Sequence, residues 1–233
     1  MPRARVPQVQ PVPPAPPAPP VPPVPPVPLA AGRLWLDFVN TEEAPRHAHA
    51  DTLKSFDSWL AWLQSVALLD AGRRATLQRR ALEQPAGATA ALHEARRIRG
   101  TLRPLAELGV NASEHVTQAA IVEINRVLGR SSGVQRVEHD PRDGSFHRAF
   151  LSSGDAFAAL VIPVVESAAD ALVRGELSRV RRCAAEPPCP RVFLDTSRNG
   201  RRRWCDMKSC GNRAKAARHR EAAKLSRRKP PAP

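Results

Sequence analysis

Apolar residues recur at intervals of three and four along most of the stretch from Gly32 to Gly175, the spacing that lines one face of an α-helix. Trp59, Leu60, Leu63 and Val66 make one such stripe, and Ser55 just ahead of it can accept from the free N–H groups of a first helical turn. Leu92, Ala95, Ile98, Leu102 and Leu105 make a second stripe. Val116, Ala120, Ile124, Val127 and Leu128 make a third, which Gly129 closes. Between Val134 and Phe150 the helical period fades, and the turn-forming "DPRDG" separates two short β-prone runs, which predicts a hairpin. Phe157, Val161, Val164, Val165, Ala168 and Leu172 then predict a long helix running toward Val180, with Pro163 as a kink or an early-turn residue. The expected fold is mainly α: a helical domain over residues 30–175 that carries one small β-hairpin.

Both ends of the chain differ in texture from this stretch. Residues 1–29 hold 14 of the 25 prolines. Proline fixes φ and donates no backbone hydrogen bond, so this arm is expected to be disordered and extended, either a spacer or a docking segment for a proline-recognising partner. It lacks the continuous apolar run of ~7–15 residues that a signal peptide needs, and no window reaches the ~18 apolar residues of a membrane span. A cytoplasmic protein with no membrane partner is expected.

Charge changes the picture more than composition does. From Arg174 to the end there are 18 Lys and Arg against 5 Asp and Glu, whereas residues 1–173 carry 18 against 17. Of the formal +14, a share of +13 therefore sits in the last quarter, which suits an acidic partner such as nucleic acid. The same quarter holds all four cysteines, spaced Cys183-x5-Cys189-x15-Cys205-x4-Cys210. In a reducing compartment, clustered cysteines favour a metal over disulfides. Zinc needs four ligands at tetrahedral corners, and two local pairs separated by an insert of hairpin length can supply them. In that insert "RVFLD" reads as a strand, Asn199-Gly200 as a tight turn, and "RRRW" as the return to Cys205, with Cys210 at the start of a helix that begins near Gly211. The result would be a treble-clef-like finger of hairpin and helix over residues 176–225, with a basic, proline-bearing tail at 226–233.

Four thiolates and one zinc ion sum to about −2, so roughly +11 of the segment's charge is left for another partner. Double-stranded DNA is the expected one. Arg198, Arg201, Arg202 and Arg203 sit at the turn, and Arg213, Lys215, Arg218, Arg220, Lys224 and Arg227 lie along the helix. Arg213 either reaches base edges or braces the metal site. Two other readings stay open. Arginine-rich surroundings lower thiol pKa, which would suit a redox-controlled interaction module. RNA is the other, although single-stranded recognition usually wants several stacking aromatics and the finger offers Phe193 and Trp204.

In the helical domain, "LWLDFVNT" at Leu34–Thr41 sets Asp37 and Asn40 among Trp35, Leu36, Phe38 and Val39. Polar groups so placed need hydrogen bonds if buried, either by capping their own helix or turn or as the wall of a small-ligand pocket. His47, His49, His93, His115, His139 and His147 are scattered and fall into no catalytic pattern, so no enzyme is expected.

"CGNR" at Cys210–Arg213, preceded by "FLDTSRNGRRRWC" at Phe193–Cys205, resembles the CGNR zinc finger. "LDFVNT" at Leu36–Thr41 resembles the opening of the ABATE domain that commonly precedes it. The resemblance implies a bacterial stress-linked transcription regulator. In such a protein an ABATE-like domain at 30–175 would sense a small ligand or a protein, and the finger would hold one zinc ion and contact DNA. The five residues "AAEPP" between Cys183 and Cys189 make a wider gap than the resemblance implies, and His219 is the only nearby substitute ligand, two helical turns beyond Cys210.

Overall fold

Leu34–Val39 form a helix, α1, that is too short to be stable alone; it persists because Trp35, Leu36, Phe38 and Val39 are all buried. The computed structural model describes residues 29–42, 51–130, 133–139, 146–152, 155–186 and 188–227. The proline-rich arm up to residue 28, the "DPRDG" turn, His47, His49 and the tail from residue 228 lie outside these.

Three helices follow the stripes read from the sequence. α2 (Phe56–Ser65) opens at Ser55, whose hydroxyl accepts from Ser58 N at 3.1 Å while Ser58 Oγ accepts from Ser55 N at 2.9 Å. α4 (Pro85–Leu108) takes its proline in the first turn, where the missing N–H would be unpaired anyway, and buries Leu92, Ala95, Ile98, Leu102 and Leu105. α5 (Glu114–Gly129) is capped by Ser113 and buries Ala120, Ile124 and Val127. Between α2 and α4 stands α3 (Ala71–Glu83), which the apolar pattern does not reveal. Leu77 is its one deeply buried residue, and its start is fixed by Asp70 accepting from Arg73 N at 2.7 Å. The expected hairpin is β1 (Gly133–His139) and β2 (Phe146–Ser152), antiparallel from Gly133 opposite Ser152 to His139 opposite Phe146.

The helix expected from Phe157 to Val180 is shorter than its apolar pattern. A 3-10 turn at Ala158–Val161 leads into α6 (Ile162–Val173), where Pro163 sits in the first turn rather than at a kink. Gly175 then adopts φ +66°, a left-handed conformation that glycine reaches without strain and that ends the helix. Val180 belongs instead to a strand.

The finger's strands also differ from expectation. β3 (Val180–Arg182) pairs antiparallel with β4 (Val192–Leu194), so the "RVFLD" strand has its partner upstream and "RRRW" forms no strand. The cause is Asp195. Fully buried, it accepts from Ser197 N, Ser197 Oγ and Arg202 N, which folds the following chain across the strand pair instead of alongside it. Ala184 N donates to Arg203 O at 2.8 Å, the contact that "RRRW" makes in place of a ladder. After a wide turn at Met207–Gly211, α7 (Asn212–Arg227) completes the finger.

One core joins the described helices to the finger. Phe38 packs on Trp59 at 5.4 Å and on Trp62 at 5.5 Å, and the two tryptophans stack at 5.3 Å and 10°. Val192, Phe193, Leu194, Cys205 and Cys210 belong to the same buried cluster as Trp35 and Leu102. Gly109 brings the end of α4 onto the approach to the finger: its φ is +54°, and a Cβ there would lie 3.0 Å from Leu177 O. Among the described residues no helix is long and apolar enough to cross a membrane.

Candidate metal centre and nucleic-acid interface

Each cysteine is delivered by a different local device. Cys183 continues β3, its N–H donating to Arg191 O at 2.9 Å, and Cys189 lies in the loop between the two strands. Cys205 ends the crossing segment, where its N–H donates to Cys183 Sγ at 3.4 Å. Cys210 sits on the wide turn, which Asp206 starts by accepting from Ser209 N at 2.8 Å and Lys208 N at 3.3 Å.

All four sulfurs lie within 4.8 Å of one another. Cys189 and Cys205 Sγ are 3.9 Å apart, Cys205 and Cys210 Sγ 3.7 Å. A tetrahedron with Zn–S near 2.3 Å has edges of about 3.8 Å. The five-residue gap therefore leaves Cys183 inside the cluster, and exposed His219 is not part of it.

As free thiols the four would resist joint ionisation. Burial, reinforced by the neighbouring sulfurs, pushes Cys205 well above the ordinary thiol range and raises Cys189 too. Burial acts on Cys210 as well, but there the Arg213 guanidinium and the other thiols outweigh it and bring the pKa down to about 7. A divalent cation at the centre removes that conflict, so the donor set fits zinc. Around it, Arg213 Nη2 donates to Cys210 Sγ at 2.9 Å. Arg202 lies over the Phe193 ring at 4.6 Å and donates to the backbone oxygens of Trp204 and Cys205.

These contacts divide the cations expected to meet DNA. Arg202 is committed within the finger, and Arg213 touches the metal cluster although the residue is exposed. Arg198, Arg201 and Arg203 are exposed, the last with its guanidinium 5.5 Å from the Trp204 ring. Lys215, Arg218 and Arg220 are exposed on α7, while Ala214 and Ala217 are half-buried beneath them. Lys224 and Arg227 continue the same helix. Arg182, Arg191 and Lys208 are exposed on the finger too and contribute to the same charge excess, although they lie neither at the Asn199-Gly200 turn nor on the helix.

Asp37 and Asn40 do not pair with each other. Asp37 reaches back along its own chain, both carboxylate oxygens accepting from Ala31 N at 3.1 and 3.2 Å. Asn40 reaches across to the finger: its Nδ2 donates to Val192 O at 2.9 Å, and its Oδ1 accepts from Val192 N at 2.9 Å. That is the hydrogen-bond pattern of a neighbouring strand, supplied by one side chain. Leu194 N donates to Ala31 O at 2.8 Å, and Arg103 of α4 donates to Pro190 O at 2.7 Å. The "LDFVNT" segment is thus a clasp that holds β4. A cleft of about 240 Å³ opens beside it, with Asp37, Thr52 and Trp62 on one side and Arg191 and Cys205 on the other. Deeper in the helical domain Arg99 is buried and bonded to Asp51 and Thr41.

Two family profiles match the chain. The ABATE profile, described as "Putative stress-induced transcription regulator", matches residues 32–176, and the CGNR zinc finger profile matches residues 179–223. No curated protein matches. The four clustered cysteines of the CGNR finger fit one zinc ion.

Proposed function

The chain belongs to the ABATE family, and from that premise and the geometry of its finger we propose that it is a zinc-dependent DNA-binding transcription regulator whose helical domain senses a ligand or a partner. It works by binding rather than by catalysis. Zinc held by Cys183, Cys189, Cys205 and Cys210 acts as a structural staple. The staple fixes the N-terminal end of α7 and so the positions of the exposed Lys215 and Arg218, one turn apart, and of Arg220 on another side of the helix, which are to meet phosphates with Arg198, Arg201 and Arg203.

The observation that carries this reading is the +13 of the last quarter, in which α7 sets six Lys and Arg against the one acid Glu221 on a helix whose start is anchored by Cys210. If about six of these residues neutralise phosphates, log affinity for duplex DNA falls with log salt at a slope of roughly −5. Fluorescence anisotropy across a salt series measures it. Replacing Arg220 with Gln is expected to flatten the slope by about one and leave sequence preference unchanged. A zinc-loaded protein that binds no duplex at low salt sinks the proposal.

Single-stranded RNA is disfavoured by one contact: Phe193 is buried under Arg202, so it offers no face to a base. A thiol-controlled interaction module is the second reading, favoured by the 3.7 Å between Cys205 and Cys210 Sγ. Reduced protein that carries no metal, and that forms a Cys205–Cys210 disulfide when oxidised glutathione is added, the glutathione being reduced to two thiols, would select it.

A further inference from the structure

The cleft between the clasp and the finger brings together three groups that the fold does not use up. The first is the Asp37 carboxylate. It is fixed by Ala31 N, half-buried, and without an ion pair among the described residues. The Arg191 charge acts on it and draws its pKa down without forming an ion pair, so the carboxylate still lacks a bonded counter-charge. The second is Arg191, two positions beyond Cys189, which is exposed and makes no side-chain hydrogen bond or ion pair among the described residues. Its fork of N–H donors is suited to a carboxylate. The third is Trp62, half-buried and held flat by its stack on Trp59, an apolar surface on the same cleft. Asn40, by contrast, is held by Val192 through both ends of its amide.

A half-buried acid, an unbonded guanidinium and an aromatic surface around a cleft of about 240 Å³ match a ligand that carries both charges and a short apolar part. We propose that the cleft binds a small zwitterion of amino-acid size, its ammonium on Asp37, its carboxylate on Arg191 and its side chain against Trp62. Asp37 and Trp62 belong to the helical domain and Arg191 to the finger, so such a ligand bridges the two and holds the finger docked. The inference rests on the reading that the helical domain senses a ligand, and it names that ligand's class.

The test uses full-length, zinc-loaded protein without DNA. Each of the twenty amino acids is screened by thermal shift, and hits are titrated by calorimetry beside the amine and the carboxylic acid obtained by deleting one charged group. At least one amino acid is expected to raise the melting temperature, with both single-charge analogues at least tenfold weaker. Arg191→Gln, an exposed change that leaves the core intact, and Asp37→Asn are each expected to weaken binding at least tenfold while zinc content stays at that of the wild type. No shift with any amino acid overturns the proposal, and so does binding that Arg191→Gln leaves unchanged. Because no DNA is present, a protein that binds an amino acid but no duplex would keep this inference and lose the DNA-binding one.

Discussion

Arg213 shows how the job of a single charged residue is decided by what lies 3 Å away. Its place at the start of α7 suits a base contact, but its guanidinium donates to Cys210 Sγ at 2.9 Å, and that hydrogen bond raises its own pKa. Groups that hold a metal ligand in this way typically govern metal affinity by 10–100-fold. Arg213→Ala is therefore expected to lose zinc to a competing chelator at roughly tenfold lower chelator concentration, with DNA affinity falling in parallel; weakened DNA binding at unchanged zinc affinity would restore the base-contact role. Asp37 gives a second prediction at this scale. Burial raises its pKa to about 6, against the pull of Ala31 N and Arg191. Between its unfolded pKa near 4 and about pH 6, the folded state keeps a proton that the unfolded chain has released, so stability falls as pH rises through that window. Asp37→Asn cannot ionise. Its melting temperature relative to the wild type should rise from pH 5 to pH 6.5 and then level off, and a difference that stays constant over this range would contradict the buried carboxylate.

Among the elements, Asn40 links two segments 152 positions apart through both of its hydrogen bonds to Val192. Asn40→Ala strips the fully buried Val192 of partners for its N–H and its C=O. Each orphaned group costs about 1–3 kcal/mol, so a loss of roughly 2–4 kcal/mol is expected, visible in urea unfolding as a lower midpoint at unchanged slope. A midpoint within error of wild type would mean that water replaces the clasp. What was legible in advance follows from the range of each interaction. α2, α4 and α5 are written as stripes of apolar residues plus a cap or a terminal glycine, all local signals. The four-cysteine centre is equally local, because two pairs and a hairpin-length insert already imply closure. α3 escaped because Leu77 alone is deeply buried, which leaves no stripe. The strand "RVFLD" was readable as a strand but not in its pairing. Its partner "VRR" has two exposed arginines and directly follows a helix-like apolar run, while buried Asp195 turns the expected partner away. For Asn40 the composition showed a polar residue in need of partners, but nothing nearby in sequence identifies a backbone so far along the chain as the partner.

At the scale of the molecule, the finger is part of the core that the helices build, and that changes what zinc is expected to stabilise. Val192, Phe193 and Leu194 are buried in the cluster that contains Trp35, Leu36 and Phe38, and α1 packs against β4 as well as α4 and α6. Burying three such side chains contributes roughly 5–9 kcal/mol, comparable with the whole net stability of about 5–15 kcal/mol that a domain possesses. If β4 loosened when the zinc site opened, α1 would lose its cover, along with the Asn40, Ala31 and Arg103 bonds that span the junction. A finger tethered by a linker would unfold by itself and leave the helical domain protected. Here, chelation of zinc is expected to lower the main unfolding transition of the entire chain and to speed amide exchange in Leu36–Val39 together with Val180–Leu194. Replacing Cys205 with Ser should reproduce both effects without a chelator. Hydrogen exchange read by mass spectrometry decides the matter. Fast exchange confined to residues beyond Arg179, with α1 still protected, would make the finger an independent module and leave the clasp with no part in communication between the domains.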